Sequence, residues 1–141
     1  MAGDFLAMAS PDTLTNVIRS AWNSETTSIP DEWDAETNPA RGQCVPTALV
    51  VQDYMGGQIM RVMTYVNGGR ETHYRNILPD GSSMDVSGDQ YPETQVFSVA
   101  PVVGSVEFTT LRDYMLSYPA TRHRYELLAA AVNELMALES E

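Results

Sequence analysis

The sequence predicts an α+β fold, with N-terminal helices packed on a small antiparallel sheet and a C-terminal helix closing the domain. Three observations predict it. A helical apolar stripe opens the chain, turn signals then punctuate short β-type runs, and a long amphipathic stretch ends it. Helices, then a meander, then helices is the order of an antiparallel sheet rather than of βαβ units.

Each element has a local reason. From Ser10 to Trp22 the apolar residues Leu14, Val17, Ile18 and Ala21 recur at helical spacing, behind Ser10 as cap and Pro11 in the first turn. Residues 24–41 are irregular, and Trp22 and Trp33 are large enough to tack this loop onto the core. A second helix is predicted from Cys44 to Met55, stopping at Gly56-Gly57. Strands follow at Ile59 to Val66, Thr72 to Leu78 and Ser83 to Val86, separated by Asn67-Gly68-Gly69 and Pro79-Asp80-Gly81, with a further strand at Val96 to Val103. Leu111 to Ser117 reads as a short helix. Thr121 opens the last one, running through Leu138 with Tyr125, Leu128, Val132, Leu135 and Met136 inward.

With 141 residues and neither repeats nor a linker, residues 1–141 form one expected domain, and 43% hydrophobic against 19% charged residues excludes an intrinsically disordered chain. The lone cysteine excludes an intramolecular disulfide and fits a reducing compartment. MAGDFLAMAS lacks the basic region of a signal peptide, and no stretch approaches the roughly 20 apolar residues of a membrane span. A cytoplasmic protein without membrane contact is therefore expected. The formal net charge of −11 repels phosphate backbones, so direct nucleic-acid binding is not expected. All eight basic residues are arginine. Codon bias, proximity to lysine-modifying chemistry, or an acidic decoy that mimics nucleic acid would each account for the missing lysines.

Gly42-Gln43-Cys44 is the most informative tripeptide. Glycine lets the chain turn into a helix, and Pro46 falls in the first turn, where a missing N–H breaks no helical bond. The thiol is thus expected at a helix N-terminus, where the dipole and unpaired N–H groups favour thiolate and an oxyanion, with Gln43 as a second donor. A buried cysteine acting as a small hydrophobe is the competing reading. A nucleophilic thiol needs a base, and only His73 and His123 are available. His73 lies in a predicted strand, followed by a tight turn and Asp85, whereas His123 sits between two arginines and reads as solvated. A cysteine at a helix start, a histidine on one strand and an acid on the next is the layout of papain-like thiol enzymes.

Register supplies a test. Asp85 shares a sheet face with His73 only if the connecting loop has an odd number of residues. Asp85 is therefore the expected orienter of the imidazole, with Asn76 second. One cysteine and two separated histidines fit no zinc pattern, and the glycine pairs lack the spacings of a phosphate loop or a dinucleotide fingerprint, so neither metal nor cofactor is expected.

These residues belong to a longer pattern. Gly42-Gln43-Cys44, the run from Thr47 to Tyr54 with Gly56-Gly57, His73-Tyr74 with Asn76, Leu78-Pro79-Asp80-Gly81, Asp85 and Gln90 together resemble the YunG-like family of small bacterial proteins. Trp22 with Glu25-Thr26, and Arg124-Tyr125 with Leu128, extend the resemblance over most of the chain. It implies a papain-like set of cysteine, histidine and aspartate rather than a particular activity. The chain departs from the expected pattern at Arg75, Ser87 and Tyr91, which leaves Cys44, His73 and Asp85 in place.

Two functions remain. One is a thiol-dependent hydrolase or acyl transferase in which Cys44 attacks an amide, isopeptide or related carbonyl of a peptide or protein, His73 moves the proton and Asp85 holds the imidazole. The other is a catalytically silent acidic binding or inhibitor module that occupies a protein or nucleic-acid-binding site.

Overall fold

The computed structural model describes residues 10–99 and 110–139. Its elements are α1 (Pro11–Ala21), α2 (Cys44–Met55), β1 (Gln58–Val66), β2 (Gly69–Ile77), β3 (Ser83–Met84), a 3-10 turn (Gly88–Gln90), β4 (Ser98–Val99), α3 (Leu111–Leu116) and α4 (Pro119–Glu139). The fold is α+β, with an antiparallel sheet ordered β3-β2-β1-β4.

Helix α1 begins as its sequence dictates, with the Ser10 side chain accepting from the Thr13 amide at 3.1 Å and Pro11 following the cap. Its Leu14, Val17, Ile18 and Ala21 are buried together with Val50 and Val51 of α2 and Leu128, Val132 and Met136 of α4. The core therefore lies among three helices, while α2 also packs against β1 and β2. Trp22 is buried and donates to Thr47 Oγ1 at 3.0 Å, and Trp33 donates to the Pro39 carbonyl at 2.8 Å, so both indoles pin the irregular segment.

The β1–β2 hairpin closes on Asn67 and Gly68, both at positive φ, with Val66 paired to Gly69. This is the two-residue turn whose twist matches the strands, so β2 starts earlier than the sequence pattern suggested. Ile77 pairs with Ser83, and the Leu78 amide reaches the Ser82 carbonyl at 2.8 Å, so Pro79, Asp80 and Gly81 form an odd-numbered tip. Strand β3 ends at Met84 rather than Val86, because the chain turns away at Asp85 and the Val86 carbonyl accepts from Arg19 instead of a strand neighbour. Only Ser98–Val99 of the expected strand over Val96 to Val103 is described as β4. Residues 100–103 lie outside the described residues. No helix among the described residues is long and apolar enough to cross a membrane.

Candidate active site

Cys44 is the first residue of α2. Gly42, at φ +75°, provides the turn into it, and a Cβ there would meet Thr27 Oγ1 at 2.2 Å and the Ile29 amide nitrogen at 3.0 Å. Both the backbone conformation and the space thus require glycine. No side chain caps the helix start, and the thiol is partly exposed. Its backbone surroundings are those of an open helix N-terminus.

His73 lies mid-way along β2, opposite Val62, and is fully buried. Register carries Asp85 onto its face: Asn76 pairs with Met84, so the next residue falls opposite Arg75, two positions from His73. The Nε2–H of His73 donates to Asp85 Oδ1 at 2.8 Å and Oδ2 at 2.9 Å. An ionised carboxylate only accepts, so Nε2 carries the hydrogen and Nδ1 is the nitrogen left for the thiol. Nδ1 is buried without a hydrogen bond. The Cys44 sulfur is close enough to raise the proton affinity of the ring, and it makes no hydrogen bond to Nδ1.

Burial by itself lowers the proton affinity of His73. The Asp85 hydrogen bond and then the Cys44 thiol outweigh it, and the imidazole is pushed up to about 9. At neutral pH the ring accordingly holds a proton between a carboxylate and a sulfur.

The two amides of the sequence reading take other partners. Gln43 is fully buried and its Nε2 donates to the Asn23 carbonyl at 3.2 Å, while Asn76 Nδ2 donates to the Ala48 carbonyl of α2 at 2.9 Å. Neither amide hydrogen-bonds His73. Asn76 ties the strand to the helix, on the face opposite His73. His123 is exposed on α4. Among the described residues no group of three histidine, cysteine, aspartate or glutamate side chains is arranged to hold a metal.

Sequence reasoning missed the surroundings of the imidazole. Tyr91 meets it edge-on with centroids 5.2 Å apart, and Phe97 lies 5.7 Å away. The Tyr91 hydroxyl donates to Glu71 Oε2 at 2.5 Å, and Glu71 takes a two-pronged bond from Arg41, 2.8 Å on each side. Arg41 holds the Glu71 carboxyl below its ordinary range, and burial, then the bond to Glu71, pushes the Tyr91 hydroxyl upward. Gln90 Oε1 accepts from Arg41 Nη1 at 3.3 Å and from the Gly42 amide at 3.4 Å. All three positions where the chain departs from the resembled pattern fall here. Tyr91 covers the ring, Arg75 stacks over Phe97 at 5.5 Å, and the carbonyl of buried Ser87 accepts from Gln90. The one available signal was Glu71, two residues before His73 and so on the same strand face.

A protein-family model described as YunG protein matches residues 10–137. The chain belongs to the YunG family. No curated protein and no solved structure gives a significant match. The match covers Cys44, His73 and Asp85 together with α2, β2 and β3, so the candidate site lies within the matched region.

Proposed function

We propose that this YunG protein is a thiol-dependent hydrolase or acyl transferase of papain-like arrangement, acting on an amide, isopeptide or related carbonyl. The observation that carries the reading is the division of labour on His73: Nε2 is bound to both oxygens of Asp85, and Nδ1 is buried, unbonded and left to Cys44. Because its proton affinity is raised, His73 carries at Nδ1 the proton given up by the Cys44 sulfur, and the reacting form is an imidazolium beside a thiolate. The sulfur attacks the carbonyl carbon, forming the S–C bond, and unpaired backbone N–H groups at the start of α2 receive the developing oxyanion. Collapse breaks the C–N bond, and the proton on His73 passes to the leaving amine. Water or a second amine then resolves the thioester, which gives hydrolysis or transfer from one intermediate. Asp85 keeps the ring oriented and offsets its positive charge.

Intact-mass analysis with a panel of electrophilic acyl and ubiquitin-like probes tests this. The account expects an adduct on the wild type that is absent from Cys44→Ala and strongly reduced in His73→Ala. Equal labelling of the wild type and His73→Ala would contradict it.

A further inference from the structure

The segment before the cysteine and the strand that carries the histidine are joined by one ion pair. Arg41 lies three residues before Cys44, and Glu71 lies two residues before His73 on the same face of β2. Their fork is bidentate, at 2.8 Å on both prongs, and the Arg41 side chain is only 12% exposed. A paired guanidinium and carboxylate in this geometry fix distance and orientation together, which a single-point contact does not. Tyr91 completes the unit by bonding Glu71 through its hydroxyl while its ring rests on His73. Gln90 carries the connection on to the turn that follows Asp85.

We infer that Arg41, Glu71 and Tyr91 are positioning residues that set the separation and orientation of the Cys44 thiol and the His73 imidazole. This rests on the thiol-enzyme reading of the same site. None of the three donates or accepts a proton in the reaction. Arg41 also pairs with Glu32 at 3.1 Å, and Glu71 feels the charge of His73, so the pH profile separates the geometric effect of the fork from the charge of Glu71. Tyr91 in addition shields the ring from water, a role its aromatic face serves without the hydroxyl.

The test is the rate of iodoacetamide alkylation of Cys44 from pH 5 to 9 in the wild type, His73→Ala, R41K, E71Q and the R41K/E71Q double variant, each with its thermal transition recorded. R41K keeps the charge and removes the fork. E71Q keeps the shape and removes the charge. Each is expected to fold and to lose about 10- to 100-fold of the His73-dependent rate, the scale of misplacing a reacting group by about an ångström. The double variant should be no slower than the slower single, because both remove one tether. The pH profile is the readout that a loss of stability alone does not move: it should approach that of His73→Ala. Should E71Q fail to fold, R41K decides. Folded single variants with the wild-type profile overturn the inference and leave the thiol reading standing. A wild-type profile equal to that of His73→Ala overturns that reading, and the inference with it.

Discussion

The imidazole of His73 is fully buried, and its Nε2 atom lies 2.8 and 2.9 Å from the two carboxylate oxygens of Asp85. Among the described residues nothing else bonds that nitrogen, so Asp85 sets the tautomer of the ring, while Tyr91 and Phe97 pack against it. Asp85→Ala should leave the fold intact and slow Cys44 alkylation near pH 7 by at least about 10-fold. Stopped-flow or mass-resolved alkylation of the folded variant checks this, and a wild-type rate would remove Asp85 from the account.

Gly88 offers a subtler route to the same bond. A Cβ at this position would stand 2.8 Å from Asp85 Oδ2 and 2.9 Å from its Cγ, so the carboxyl group must shift. Gly88→Ala therefore changes none of Cys44, His73 or Asp85, yet should lower thiol reactivity toward the level of Asp85→Ala. A folded Gly88→Ala protein with unchanged kinetics would show that the carboxylate tolerates displacement.

The raised pKa of His73 carries a stability consequence of definite sign. The folded value, about 9, lies above the roughly 6.5 of an unperturbed histidine. The stabilisation is fully present below the unfolded value and is lost as pH rises through about 9. Denaturant unfolding should accordingly give a lower midpoint at pH 9.5 than at pH 6, and the difference should shrink in Asp85→Ala. The chain has only two histidines, and His123 is exposed, so ring resonances followed against pH would read His73 directly.

Much of this site was legible because the chemistry had few candidates. One cysteine, two histidines and the parity of a single turn select Cys44, His73 and Asp85, and the odd-numbered tip at Pro79, Asp80 and Gly81 supplies the register that selection required. Helix faces such as Leu14, Val17, Ile18 and Ala21 were visible through their period, because each is a local pattern that burial reads out. Arg41, Glu71 and Tyr91 were not visible. Their bonds join segments far apart in the chain, and nothing local distinguishes Arg41 from seven other arginines, or Gln43 as a buried donor from Gln43 as an oxyanion ligand. Polar partnership across loops is decided by tertiary placement, which periodicity does not encode.

Asn76 separates fold from chemistry. Its side chain is buried and its amide donates to the Ala48 carbonyl inside α2, beside the helix's own bond to that oxygen. Asn76→Ala should destabilise the protein by about 0.5–1.5 kcal/mol, the net range for one lost hydrogen bond, with little change in the alkylation rate of the folded fraction. Chemical denaturation and kinetics on the same sample distinguish the two effects.

Gly42 tests the placement of the nucleophile itself. Any side chain there meets Thr27 and backbone at Ile29, and the positive φ adds strain. Gly42→Ala should lower the thermal midpoint and, in whatever remains folded, displace the start of α2 and slow Cys44. Preserved stability with preserved reactivity would mean that the loop absorbs the change without moving the helix.

The central claim is that Cys44 and His73 work as a pair, and one comparison tests it most directly: the pH–rate profile of Cys44 alkylation in folded wild type, folded His73→Ala and the urea-unfolded chain. The account predicts that between pH 6 and 7.5 the folded wild type reacts faster than the unfolded chain, and that His73→Ala loses this advantage. A folded thiol that does not react, or one indifferent to His73, would contradict it and leave Cys44 a structural residue of an acidic binding module.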